Sequence, residues 1–177
     1  MKKLNCIIYA PIDIYSGYSS NSRDKIKSII ELYDEKWDIK IIPCKWGNLP
    51  SGFIEDNFEE WGFLNKYILP TQQQPQQPDI WIMITIPSEF KKWGKYNIGI
   101  TAGIESDIIP HNWIEGCNNM DLIIVSSNHS KKAFLNTKFN KLNKTTNQIE
   151  GTISIEKPIE VIFEGVSTKT YQPIEWI

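Results

Sequence analysis

Six short apolar runs, separated by helix-patterned or polar segments, constrain this chain more than any other feature of its sequence. They are LNCIIYA (4–10), DIKIIPC (38–44), DIWIMITIP (79–87), YNIGITAG (96–103), DLIIVSS (121–127) and IEVIFEG (159–165). Most are continuous rather than alternating, as befits strands buried on both faces. Between them, SSNSRDKIKSIIELY sets Ile26, Ile29, Ile30 and Tyr33 at helical spacing behind a Ser/Asn cluster able to cap the helix. Residues 53–68 place Ile54, Phe58, Trp61, Leu64 and Ile68 on one helical stripe. Pro110 opens a short helix that carries Trp113, Ile114, Cys117 and Met120 inward, and a further helix is expected from about Asn128 to Phe139. PTQQQPQQPD and NKLNKTTNQIEG read as surface loops, with TISI an edge strand. Strand and helix in repeated alternation predict an open doubly wound α/β fold, a parallel Rossmann-like sheet with helices on both faces.

That architecture puts ligands at the carboxyl ends of the strands. The fourth run ends in ITAGIESD, delivering Glu105 and Asp107 to that rim, and His111 follows beside Pro110. Glu105 is the stronger site candidate, while Asp107 also suits a cap for the helix after Pro110. After the first run, Gly17 lets backbone pass close to a ligand, and Ser19, Ser20 and Ser22 offer hydroxyls near a helix start, where an anion such as a diphosphate is favoured. The same residues equally make a plain capped βα turn. Arg23 is the lone arginine among 19 basic residues. It suits bidentate contact with a carboxylate or phosphate, or a pair with Asp24 or another helix acid. Ser127 and His129 belong with Ser130 to the first turn of the helix after the fifth run, and Ser127, with Asp107 and His111, is a candidate for contact with substrate or donor. Strand order 3-2-1-4-5 would make the first and fourth strands neighbours and bring Gly17 and Glu105 together.

Several chemistries are excluded. No GxxxxGK[ST], GxGxxG or GxSxG occurs, which removes a P-loop, the dinucleotide fingerprint and the nucleophile elbow. The two histidines, His111 and His129, are not at metal-ligand spacing and no CxxC is present, so no metal is expected. Cys6, Cys44 and Cys117 are odd in number and far apart, which suits a reducing, cytoplasmic compartment. No apolar run reaches membrane-spanning length.

AGIESDIIPHNWIEGCNNMDLIIVSSNHSKKAF, followed by PIEVIFEGVSTKTYQP, resembles the N-terminal half of GT-B glycosyltransferases of the group-1, family-4-like set. The likeness rests on Glu105, Asp107, Trp113, Asn118, Asp121, Val125 and Ser127, then Glu164-Gly165-Val166, Tyr171 and Pro173, with Gly17 after the first strand. Phe163 and Ser167 stand where the set usually has Pro and Asp. The resemblance implies that residues 1–166 form the acceptor-side domain of a two-domain enzyme. Residues 167–177 would begin the linker to a C-terminal donor-binding domain absent from this chain. The enzyme would move a sugar from a nucleotide-sugar, a co-substrate rather than a cofactor, to an acceptor hydroxyl without a metal. Gly17 and its serines would then face the donor phosphates, with Glu105 at the acceptor or sugar as the expected catalytic residue, a base if transfer inverts.

The alternative is a non-catalytic flavodoxin-like binding or assembly module. A net charge of -2, with only a local cluster of Lys131, Lys132, Lys138, Lys141 and Lys144, ranks a glycan or small acceptor above DNA. The cleft face is expected to expose apolar surface and to favour self-association, with Trp176 and Ile177 poorly tied down.

Overall fold

The computed structural model describes residues 2–70, 75–143, 145–166 and 171–173. Strand β1 (Leu4–Ala10) shows why the sheet must be covered twice. Its Cys6, Ile8 and Ala10 enter one hydrophobic core and its Ile7 another, all at 1% exposure or less. Apolar atoms on both sides of a strand gain from leaving water only if each side receives its own layer. Helix α1 (Gly17–Tyr33) supplies Ile26 to the first core, and the 53–67 segment adds Ile54, Trp61 and Leu64. Helices α4 (His111–Asn118) and α5 (Asn128–Asn136) close the second with Ile114, Cys117 and Phe134.

The main sheet is wholly parallel. Its order is β2 (Trp37–Pro43), β1, β3 (Ile80–Ile84), β4 (Tyr96–Thr101), β5 (Leu122–Val125) and β8 (Ile159–Val161). The expected α/β, Rossmann-like architecture is therefore present, but the expected order 3-2-1-4-5 is corrected. The third strand lies beside the first and separates it from the fourth. The reason is legible in β2, which alternates Ile39 and Ile41 in the core with Asp38 and Lys40, paired at 3.3 Å, on its other face. A strand buried on one face belongs at the edge, leaving the apolar β1, β3 and β4 to fill the middle.

Several local expectations also change. Residues 53–68 are not one helix but α2 (Phe53–Asp56), α3 (Phe58–Trp61) and a 3-10 turn (Gly62–Tyr67). The side-chain amide of Asn57 donates to the Phe53 carbonyl at 2.9 Å, a local bond that competes with helix propagation, and Phe58 is left 62% exposed. The helix expected to reach Phe139 stops at Asn136. Beyond it, β6 (Phe139–Leu142) and β7 (Ile149–Ile153) form an antiparallel hairpin apart from the main sheet, so the polar stretch is not simply a loop, and Thr152 and Ile153 of TISI lie in a strand of that hairpin and not at an edge of the main sheet. Last, β3 and β4 are joined without a full helix, through a single 3-10 turn, Pro87–Glu89.

That turn is held by two glycines. A Cβ on Gly116 of α4 would lie 1.7 Å from the Pro87 carbonyl oxygen, and one on Gly99 of β4 would lie 2.4 Å from the Phe90 ring. Without side chains at these points, α4 and β4 grip residues 87–90 from two directions. Among the described residues no helix is long and apolar enough to cross a membrane. Lys144, Ser167 and the chain end with Trp176 and Ile177 lie outside the described residues.

Candidate functional site

With order 2-1-3-4-5, the direction in which successive strands are added across the sheet reverses between β1 and β3, and the crevice of a doubly wound sheet opens at the carboxyl ends of that parallel pair. Helix α1 begins there. Ser16 caps it in extended conformation, its hydroxyl accepting the Ser19 N–H at 3.1 Å. Gly17 is exposed, with no atom within 4 Å of where a Cβ would stand, so the backbone is open to a ligand.

Tyr18 then reaches across the sheet. Its hydroxyl lies 2.8 Å from the Thr101 hydroxyl at the end of β4 and accepts the Ala102 N–H at 3.1 Å. Its ring meets that of Trp46 edge-on, with centroids 4.4 Å apart. The first turn and the fourth strand are thus joined although their strands are not neighbours. Gly17 and Glu105 share the rim as expected, with β3 between them.

The serines and the arginine divide sharply. Ser20 is exposed on the first turn, whereas Ser19 and Ser22 are fully buried. Ser22 donates to the Tyr18 carbonyl at 2.7 Å, and Ser19 accepts from Arg23 at 2.5 Å. Ser19 is therefore corrected from a ligand hydroxyl to an internal partner. Arg23 is 4% exposed, donates to the Ile12 carbonyl at 2.9 Å, and lies with its guanidinium carbon 3.4 Å from the Phe53 ring centre. Among the described residues it makes no ion pair. Burial lowers its pKa, partly opposed by the charges of Asp24 and Asp13. It braces the β1–α1 loop from beneath, and neither expected role, anion contact nor helix ion pair, describes it.

The acidic loop is anchored at its start and free at its tip. Ser126 donates to the Ala102 carbonyl at 2.6 Å, and Ser130 to that of Ile104 at 3.4 Å. Gly103, at φ 90°, has the Ser130 hydroxyl 2.1 Å from its Cβ position. Beyond Ile104 the side chains of Glu105 and Asp107 are exposed. The His129 ring nitrogen meets the backbone carbonyl of Glu105 at 3.2 Å, not its carboxylate. Asp107 does not cap α4, whose N-cap is Pro110 with no side-chain bond. Ser127 is the N-cap of α5 and accepts the Ser130 N–H at 3.0 Å, so its hydroxyl serves the helix. His111 is exposed at the start of α4, edge-on to Phe139 at 6.1 Å. Trp113 packs in the second core as expected.

One acid at this rim escaped the sequence reading. Glu89 closes the turn that follows β3, directly at the switch point, and is half-buried. The Thr85 hydroxyl donates to its Oε2. Burial is the largest cause raising the Tyr9 and Tyr18 phenols and pushes the Cys44 thiol up to about 11, and the negative charge of Glu89 adds to all three. Geometry places it beside the first turn: Thr85, which holds Glu89, donates its N–H to the Ile100 carbonyl at 3.1 Å, next to the Thr101 that meets Tyr18. The signal that could have found it is PSE, two residues beyond a strand run, the same spacing that drew attention to Glu105.

A cavity of about 490 Å³ lies to one side, against Asp13, Pro43, Gly52, Phe58 and Ile68. Asp13 there accepts the Gly52 and Ile54 N–H groups at 3.1 and 3.0 Å, so its carboxylate starts α2 and the switch-point crevice is the better candidate. No group of metal-ligating side chains gathers among the described residues. Comparison with protein-family models, with curated proteins and with solved structures returned no match for this chain.

Proposed function

We propose that this chain is the acceptor-side half of a GT-B glycosyltransferase, acting in the cytoplasm on a glycan or small acceptor. The observation that carries the reading is the bond between Tyr18 and Thr101. It brings together the first turn and the fourth-strand loop, which are two segments of the resemblance. On this reading Gly17, its Cβ direction open, faces the diphosphate end of a nucleotide-sugar, and Glu105 and Asp107 stand on the acceptor rim. His111 and Ser20 flank it, and the second half of the enzyme grips the nucleotide. The resemblance implies that no metal is required, and two domains closing on both substrates supply the orientation, a contribution of about 7–11 kcal/mol to a barrier.

The second reading is a non-catalytic binding module, and the strand order favours it as much as the first. Order 2-1-3-4-5 with a crevice between β1 and β3 is also the flavodoxin-like arrangement. Calorimetry on the 177-residue chain with panels of neutral saccharides and nucleotide-sugars separates the two. The glycosyltransferase reading expects saccharide binding, feeble nucleotide-sugar binding and no transfer or donor hydrolysis. Tight nucleotide-sugar binding or donor hydrolysis by this chain alone contradicts the two-domain reading, and no saccharide binding at all favours the module.

A further inference from the structure

Two acids stand two residues beyond strand runs on this rim, and their surroundings differ. Glu105 is exposed at the tip of its loop and its carboxylate accepts no hydrogen bond among the described residues. Glu89 is oriented. Thr85, 1% exposed, donates to one carboxylate oxygen, and the turn beneath is gripped by Gly116 and Gly99. Its other oxygen accepts no bond among the described residues and is not sealed from solvent. No cation neutralises it at ion-pair distance among those residues. A carboxylate with one oxygen tethered and one open is pre-set to accept a hydroxyl, since little side-chain freedom remains to be lost when the ligand arrives.

The neighbouring groups narrow the ligand. Tyr18 and Trp46 bring aromatic surface to the same crevice, and Thr101 brings a hydroxyl. Glu164 adds a second negative charge near Tyr18, where it accepts from Asn21. At the Glu89 end of the crevice a carboxylate repels a phosphate, which leaves the diphosphate to the open Gly17 backbone, while an aromatic edge with a few convergent polar groups suits an uncharged polyol with apolar C–H faces.

We propose that Glu89 is the carboxylate that binds the acceptor, taking a hydroxyl of a neutral saccharide on its free oxygen. This rests on the glycosyltransferase reading and adds the residue and the acceptor's charge class to it.

The test is an NMR titration of the isotopically labelled 177-residue chain with glucose, galactose, N-acetylglucosamine and their disaccharides. It compares wild type with Glu89→Gln, Thr85→Val, Glu105→Gln and the outward-facing control Glu115→Gln. Glu89→Gln is expected to weaken binding about tenfold or more, the scale of a hydrogen bond to a charged group. Thr85→Val, which keeps the carboxylate and removes its tether, is expected to weaken it about threefold. Glu105→Gln is expected to lose less than Glu89→Gln, and Glu115→Gln to match wild type. The retained dispersion of the amide spectrum verifies folding, and Thr85→Val carries the test if Glu89→Gln unfolds. Saccharide binding that survives Glu89→Gln, or falls only with Glu105→Gln, overturns the role of Glu89 while leaving the glycosyltransferase reading in place. Absence of saccharide binding in the wild type overturns both. Stronger binding of a sugar phosphate than of the neutral sugar overturns the assignment of charge class.

Discussion

The turn after β3 and the loop after β4 leave the same rim with the same kind of residue, and the fold treats them in opposite ways. Pro87–Glu89 is wedged between β4 and α4, with Phe90 2% exposed behind it. The β4 loop is tied by Ser126 and Ser130 as far as Ile104 and by His129 at the Glu105 carbonyl, yet the side chains of Glu105 and Asp107 are left in solvent. A charged side chain held in place can recognise a ligand without first being ordered by it, whereas a free one must lose its rotamer entropy on contact. The difference lies in what packs behind each acid, not in the acids.

The sharpest way to break this contrast is to dislodge the wedge. Gly116→Ala drives a methyl into the Pro87 carbonyl, which is backbone and cannot swing away. The expected loss is about 3 kcal/mol, at the upper end for overpacking, read as a lowered urea midpoint. The matching change in the other region, Gly103→Ala, meets a movable Ser130 side chain at φ 90° and is expected to lose about 1–2 kcal/mol. If Gly103→Ala proves the more damaging, the β4 loop and not the β3 turn is the rigid element of the rim.

Tyr18→Phe tests what joins the first turn to the β4 loop. It removes the acceptor for the Ala102 N–H and the partner of Thr101, for a loss of about 1 kcal/mol. Faster amide exchange at Ala102, with α1 and its Ser16 cap intact, is the expected signature, and unchanged exchange would show the bond to be incidental. The smallest effect belongs to Glu105→Gln, expected to shift stability by no more than about 0.5 kcal/mol because nothing packs on the carboxylate. A larger loss of stability would make Glu105 structural and remove the contrast.

How far the sequence could be read follows from the range of the interactions involved. Burial on both faces of β1 was visible because LNCIIYA carries apolar residues at successive positions, and the capped start of α1 because a Ser/Asn cluster precedes its apolar stripe. These are local patterns. Strand order was not local, and the polar alternation of β2 that sends it to the edge was the one clue to it. Arg23 was misjudged for the same reason. Besides the Ser19 hydroxyl one turn back, its partners are the Ile12 carbonyl and the Phe53 ring, and no spacing rule links position 23 to position 53. Although its tether Thr85 is close in sequence, Glu89 was missed because the grip that makes the tether matter comes from Gly116, far along the chain.

The central claim is that the crevice at the carboxyl ends of β1 and β3 is where this chain meets its ligand. Mapping amide shifts of the wild-type chain while a neutral disaccharide is added tests it most directly. The account predicts that perturbed signals cluster at Gly17 and Tyr18, the Trp46 indole, residues 85–89 and Thr101 to Gly103, with the amino ends of the strands silent. Shifts gathered instead around Asp13, Phe58 and Ile68, or spread along the β6–β7 hairpin, would place the ligand elsewhere and contradict it.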